Sequence, residues 1–462
     1  MSRPRVRSAA LVLLVLVLAV AVGLGGYLVT HAVRRGHSQA RPPVLALPSA
    51  LTAATARPAP APSAADPTVP SAAAVSAALA KAAADPSLGR RLLGEVVDAR
   101  TGAVLYDANA TTPAAPASTA KLLTAAALLA VRGPTDRIAT TVVAGPAGTV
   151  VLIGGGDPTL TGAARGKPGA YADAARITDL AAQLRRAHTA VRSIVVDDGL
   201  FSGPAVAPGW APEDIPSDYA APVTAVLADG GRAAPGDIIR STTPDLAAGR
   251  ELAVALGEPA LPVSRGRAPS GAAVLARVES APLAVLVEQM LQSSDNVIAE
   301  CLGRQVAIAA GDPVSFAGAA AAIRTELTRL GVSVGTGMQD ASGLAAADRL
   351  SPAALVAVLR LAGSTPAQLH DVVASLPVAG WSGTLRDRYL AGSADAAGAG
   401  VVRAKTGTLS GVSALAGLVH DRDGRLLVFA FVADRLDPSA SAAPAEAALD
   451  GVATVLAGCG CS

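Results

Sequence analysis

Three apolar strands stand near the end of the chain, and the pattern that can pair with them lies some three hundred residues upstream. Val401-Val-Arg-Ala-Lys-Thr-Gly407, Val412 to Val419 and Leu426 to Val432 read as strands, the last pair joined by the turn Asp421-Arg-Asp-Gly424. Upstream, Arg91 to Val97 and Ala103 to Tyr106 flank Asp98-Ala-Arg-Thr-Gly102, which is a hairpin pattern. Helical patterns fill the interval: Pro116–Ala130, Ala172–Ala187, Leu246–Leu256, Ala281–Leu302, Ser351–Ala362 and Thr365–Ser375. Strands are expected over Ile138–Ile153 and Ser193–Val196, and further helices over Ala72–Ala84 and Ala442–Leu456. A strand pair, a helical centre, three strands and a closing helix predict an α+β fold, with one antiparallel sheet closed by both chain ends.

Composition narrows what such a fold can do. The chain has 462 residues, 51% apolar and 16% charged, which excludes a disordered protein and predicts two or three domains. A net charge of +2 and 2% aromatic residues argue against a nucleic-acid partner, which needs a basic face and stacking rings. Three cysteines are too few for a disulfide framework. The core therefore has to be packed from Ala, Val and Leu.

Residues 9–30 are apolar and uncharged, long enough to span the roughly 30 Å hydrocarbon layer. Arg3, Arg5 and Arg7 precede the run, and Arg34 and Arg35 follow it. Its length favours an uncleaved signal anchor over a cleaved signal peptide. Residues 36–71 are rich in Ala and Pro and read as an extended spacer. The expected organisation is an anchor at 1–35, a linker at 36–71, a first core segment at 72–135, an inserted domain at 136–270 and a second core segment at 271–462. The expected location is the cell membrane, single-pass, with the body on the extracytoplasmic side.

Lysine occurs only at positions 81, 121, 167 and 405, and asparagine only at 109 and 296, so a motif that uses them is informative. Ser118-Thr-Ala-Lys121 opens a helix, where i and i+3 share a face and the amine can take the proton of a nucleophilic serine. The helix start adds a backbone amide and a positive dipole end for a developing oxyanion. Ser294-Asp-Asn296 offers a hydroxyl and a carboxamide two residues apart, suited to a turn into a cleft. Lys405-Thr-Gly407 ends a strand and is followed by Thr408, so a substrate can lie along the strand while the amine attracts its carboxylate. Each string alone has a bland account as a capped helix, a polar helix end or a strand-to-turn transition. Their joint occurrence, in this order, makes three simultaneous coincidences improbable.

The set resembles the signature of penicillin-binding proteins and serine β-lactamases. With Gly155-Gly-Asp-Pro-Thr-Leu160, Asp340-Ala-Ser-Gly-Leu344, Ser351-Pro352 and Gly383-Thr-Leu-Arg386, the chain is similar to the class C low-molecular-mass penicillin-binding proteins. These are D-alanyl-D-alanine carboxypeptidases and endopeptidases (peptidase family S13), and the similarity runs from about Leu92 to Leu456. The resemblance implies a transpeptidase-like domain, its antiparallel sheet sandwiched by helices, with a mixed α/β domain inserted after the nucleophile helix. It implies that Ser118 attacks the bond between two D-alanines while Lys121 takes its proton, its pKa lowered by burial and by Lys405. Ser294 would relay the proton to the leaving amine, and Asn296 would hold the substrate amide and Lys121. Lys405, Thr406 and Thr408, with Gly407 between them, would bind the terminal carboxylate, and the N–H groups of Ser118 and Thr408 would form the oxyanion hole. The implied partners are stem peptides ending in D-Ala-D-Ala and β-lactams, with no metal and no cofactor.

Other chemistries fit less well. No His-Glu-x-x-His helix is present. A β-lactamase of the class A type would need a Glu-x-x-Leu-Asn loop after the second motif, and no asparagine follows Asn296. A penicillin-binding sensor or scaffold that acylates without turning over is the other alternative. Cys301 is expected to fill a small apolar slot behind the Ser294 turn.

Overall fold

The upstream hairpin does pair with the late strands. In this computed structural model, which describes residues 69–364 and 366–461, β1 (Leu92–Asp98) pairs antiparallel with β10 (Leu426–Ala433), Leu92 opposite Ala433 and Asp98 opposite Leu427. β2 (Val104–Ala108), β9 (Val412–His420) and β8 (Arg403–Leu409) complete a five-stranded sheet in the order β2-β1-β10-β9-β8, with β8 at one edge. The expected segments 1–35 and most of 36–71 lie outside the described residues. Among the described residues, no helix is long and apolar enough to cross a membrane.

Side-chain alternation divides the sheet between two cores. Leu93, Val97, Val428, Ala430, Val432, Ala414 and Ala416 join one cluster; Val96, Leu427, Phe429, Phe431 and Leu415 join the other. Period-two patterning sends successive residues to opposite faces, and here both faces are covered, so β9 and β10 are apolar almost throughout. α1 (Ala72–Ala83) and α10 (Ala443–Gly458) cover the second face. On the first face sit α2 (Lys121–Arg132) and α8 (Pro352–Ala362), backed by α5 (Leu283–Ser293), α6 (Asn296–Ala310) and α7 (Phe316–Arg329). α2 is enclosed: Leu122, Leu123, Leu128, Leu129 and the three alanines between them have no solvent exposure. A helix apolar on every side belongs in a core, and this one carries the first motif into the interior.

The second sheet has the order β6-β5-β4-β3-β7: β3 (Ala139–Ala144), β4 (Thr149–Ile153), β5 (Ser193–Asp197), β6 (Val263–Arg265) and β7 (Val274–Glu279). It is mixed, with β4, β5 and β6 parallel and β3 antiparallel to both of its neighbours. α3 (Ile177–Arg186) and α4 (Pro244–Leu256) pack Ile177, Leu180, Leu184, Ala248 and Leu252 against Val142, Leu152, Ile194 and Val196.

α7, β6 and β7 lie where no element was expected, and two expected helices differ. The single helix read over Ala281–Leu302 is broken at Ser294, whose left-handed backbone (φ +58°) ends α5. Asp295 then starts α6 by accepting from the amides of Val297 and Ile298, as an N-cap carboxylate does. Over Thr365–Ser375 the described backbone forms a short 3₁₀ turn (Ala367–Leu369) and then α9 (His370–Ala374).

Candidate active site

The nucleophile candidate lies on a tight turn. Ser118 sits in a 3₁₀ segment, Ala117–Ala120, that runs directly into α2. Ala117 has φ +47°, a left-handed conformation that a side-chain-bearing residue adopts only when its surroundings impose it. The surroundings are two glycines. A Cβ on Gly407 of β8 would come within 2.8 Å of the Pro116 carbonyl oxygen, and one on Gly343 (φ +79°) within 1.9 Å of the Ala117 carbonyl oxygen. Any side chain at either position would push the serine turn away from the edge strand or from the Asp340–Leu344 loop.

Lys121 is completely buried and donates to three acceptors: Ser118 Oγ at 2.7 Å, Asn296 Oδ1 at 2.6 Å and the Ser342 carbonyl at 2.9 Å. Burial lowers its pKa to about 8, against the upward pull of Asp340, Asp295, Glu300 and Asp348. Burial first, and repulsion between the Lys121 and Lys405 charges second, push Lys405 well below the ordinary lysine value.

Lys405, on the edge strand, donates to Ser294 Oγ at 2.9 Å and to the Thr406 carbonyl at 2.8 Å. The structure thus joins all three motifs: Ser118, Lys121 and Asn296 form one chain, and Ser294 and Lys405 another. Asn296 Nδ2 donates to the Tyr219 carbonyl at 3.2 Å, which fixes which end of the carboxamide faces Lys121. Asp295 also accepts from Tyr171 Oη at 2.7 Å and from Arg240 at 2.8 Å. Burial alone would raise its pKa; the Arg240 charge and these hydrogen bonds hold it at about 2.

Thr406, Thr408, Ser118, Ser294 and Asn296 line one cleft of about 470 Å³, together with Gly343, Leu344, Thr384, Arg388 and Glu446. The threonine hydroxyls already have partners: Thr406 pairs with Thr384 at 2.8 Å, and Thr408 donates to Glu446 at 2.6 Å. Thr408 would have to turn from Glu446 to greet a carboxylate, whereas Thr406 can accept from Thr384 and keep its own hydrogen for one. Gly407 contributes by the absence of a side chain.

Several contributors were not assigned a role from the sequence. Ser342 supplies its carbonyl from a loop held by Asp340, which accepts from the amides of Ser342 (3.0 Å), Gly343 (2.6 Å) and Ala345 (2.8 Å), and from Trp210 at 2.8 Å. Glu300 secures the same loop through the Ala341 amide at 3.0 Å. Thr384 belongs to the Gly383–Arg386 string, so its signal was in view; Tyr219, Arg240 and Glu446 carry no motif. Cys301 is fully buried beside Val297, Phe316 and Trp210.

A buried lysine bonded to a serine, a second lysine on an edge strand and a helix-sheet-helix body define the penicillin-binding serine peptidase class. The chain belongs to the D-Ala-D-Ala carboxypeptidase 3 (S13) family, whose model matches residues 75–236 and 233–456. It is 44% identical over 384 residues to a carboxypeptidase of Mycobacterium tuberculosis, covering 82% of each chain. It is also 44% identical over 383 residues to the carboxypeptidase DacB of Mycolicibacterium smegmatis, covering 81% of this chain and 82% of that one. The fold is similar to the crystal structure of penicillin binding protein 4 from Haemophilus influenzae, with TM-score 0.67 and 22% identity, over 82% of this chain and 97% of that one.

Proposed function

We propose that the protein is a serine-type D-Ala-D-Ala carboxypeptidase and/or endopeptidase of peptidoglycan stem peptides that binds β-lactams, with Ser118 as the acylated residue. The observation that carries this reading is the buried Lys121 amine, 2.7 Å from Ser118 Oγ and held by Asn296 and Ser342. Lys121, in its neutral form, takes the serine proton as Oγ attacks the carbonyl carbon of the penultimate D-alanine. The N–H groups of Ser118 and Thr408 receive the oxyanion. Ser294, bonded to Lys405, passes a proton to the leaving amine, and Asn296 holds the substrate amide. Lys405, Thr406 and Thr408 take the terminal carboxylate, and water releases the acyl group. The division into a core at 72–135 and 271–462 with an insertion at 136–270 is part of the same reading. So are an anchor at residues 9–30 and a catalytic body on the extracytoplasmic side of the cell membrane, where peptidoglycan lies.

The test is release of D-alanine from a pentapeptide stem by the purified protein and covalent labelling by a fluorescent penicillin. Ser118→Ala is expected to remove the label and lower D-alanine release by roughly a thousandfold or more. Full activity in that variant would end the assignment.

A further inference from the structure

Beside the catalytic cleft lies a second, more open groove of about 380 Å³, lined by Gln292, Ser293, Ser382, Gly383, Thr384 and Arg386. Ser293 and Thr384 line both, so the two are continuous. The joint between them is the Thr384–Thr406 hydroxyl pair at 2.8 Å, which places the groove beyond the threonine proposed to take the terminal carboxylate. Its floor is tight: Gly383 (φ +56°) lies so close to Gln292 that a Cβ there would come within 2.6 Å of Gln292 Oε1. Next in sequence to Ser382 of this lining is Trp381, 78% exposed, with no ring or cation contact among the described residues. Arg386 is exposed and makes no ion pair or side-chain hydrogen bond among the described residues. Large indole surfaces and free guanidinium groups are the side chains that most often anchor a partner, and neither is used by this fold.

A released free D-alanine ends at the carboxylate site. A leaving residue that belongs to a second peptide continues past it, and the groove is where it would continue. We propose that this groove holds the leaving peptide of a cross-linked pair of stem peptides, with Trp381 as its apolar platform and Arg386 taking a peptide carboxylate. This rests on the proposed function and adds where the second strand is bound. The chemistry is unchanged: the cross-link C–N bond breaks as the Ser118 Oγ–C bond forms, and the serine proton leaves on the amine of the released peptide. Water then hydrolyses the ester, returning Ser118 and freeing the acyl peptide as a carboxylic acid.

The experiment compares two substrates on the full chain: a sugar-free cross-linked dimer of stem peptides and an unlinked pentapeptide. Trp381→Ala and Arg386→Glu are each expected to lower kcat/KM for the dimer by about fivefold or more. Both should leave pentapeptide turnover, penicillin labelling and Tm near wild type. Equal loss on both substrates, or no loss on either, would overturn the proposal. So would wild-type protein that trims the pentapeptide but leaves the dimer intact, a result that spares the carboxypeptidase reading. Losses seen only with glycan-bearing dimers would replace the peptide with a sugar and overturn it as well. Wild-type protein inactive on both substrates and unlabelled by penicillin would instead remove the underlying function, and the groove assignment with it.

Discussion

The two sheets each have five strands, yet they relate to the site in opposite ways. The terminal sheet is antiparallel, covered on both faces, and places Lys405, Thr406 and Thr408 directly on its edge strand β8. The second sheet is mixed and places no residue in the cleft. It reaches the site only through the segments between its strands: Tyr171 and Arg240 grip Asp295, and the Tyr219 carbonyl orients Asn296. Reacting groups thus stand on or beside the terminal sheet, and the segments between the strands of the second sheet position them. A rigid covered sheet suits the first task, because catalytic geometry tolerates little displacement. Loops suit the second, since a few polar contacts are enough to fix a carboxamide and a cap.

If that division holds, the largest effect belongs to the terminal body. Lys121→Ala removes the proposed base and leaves Asn296 Oδ1 and the Ser342 carbonyl without their donor. Penicillin acylation is expected to fall by about 10²–10⁴-fold, measured by stopped-flow labelling, with Tm scored in parallel. Acylation at the wild-type rate would show that another group is the base.

Next comes the grip of the second sheet's connecting segments on the second motif. Arg240→Ala strips a buried carboxylate of its buried cation, both nearly free of solvent. Breaking such a pair costs about 3–5 kcal/mol, chiefly from the charge left behind. Chemical denaturation is expected to show a loss of this size, with slower acylation as Asn296 loses its support. Arg240→Lys should recover part of both. If Arg240→Ala unfolds at the wild-type midpoint, the two bodies are less dependent on each other than the contacts indicate.

A smaller effect follows from the protonation of Lys121. Only the neutral amine can accept a proton, and its pKa is lowered to about 8, so acylation should rise with pH through that value. On the acid side the rate should drop about tenfold per pH unit. A rate independent of pH from 6 to 9 would exclude this amine as the titrating group.

Much of the terminal body was legible because its signals are local. Strand alternation and the Asp/Gly turns marked the hairpin and the last three strands. The scarcity of Lys and Asn made three short strings stand out. What stayed hidden depends on tertiary contact. Nothing in the residue types at Ala117 or Ser294 announces a positive φ, which costs free energy that only packing offsets. Ala281–Leu302 therefore read as one helix. β6 has three residues, and β7 carries Arg277 and Glu279 between its apolar positions, so neither gave a strong strand pattern. Tyr219 and Arg240 lie in a turn-rich stretch with no periodicity, where function is decided by what the loop meets.

The smallest prediction supplies the control for the whole comparison. Arg277 and Glu279 of β7 form an ion pair at 3.0 Å on the second sheet, with side chains 55% and 48% exposed. Solvent screens a pair this open, and holding two long side chains together costs entropy, so its net contribution is about 0–1 kcal/mol. Arg277→Ala should leave penicillin acylation unchanged and shift the unfolding midpoint only slightly. The same charge removal at Arg240 acts on a buried group joined to the second motif, and there the loss should be severalfold larger. Were the two substitutions to act alike, burial and connection to Asp295 would not be what gives the segments of the second sheet their hold on the site. Contact with the motif, rather than membership of the sheet, is what this pair of measurements isolates.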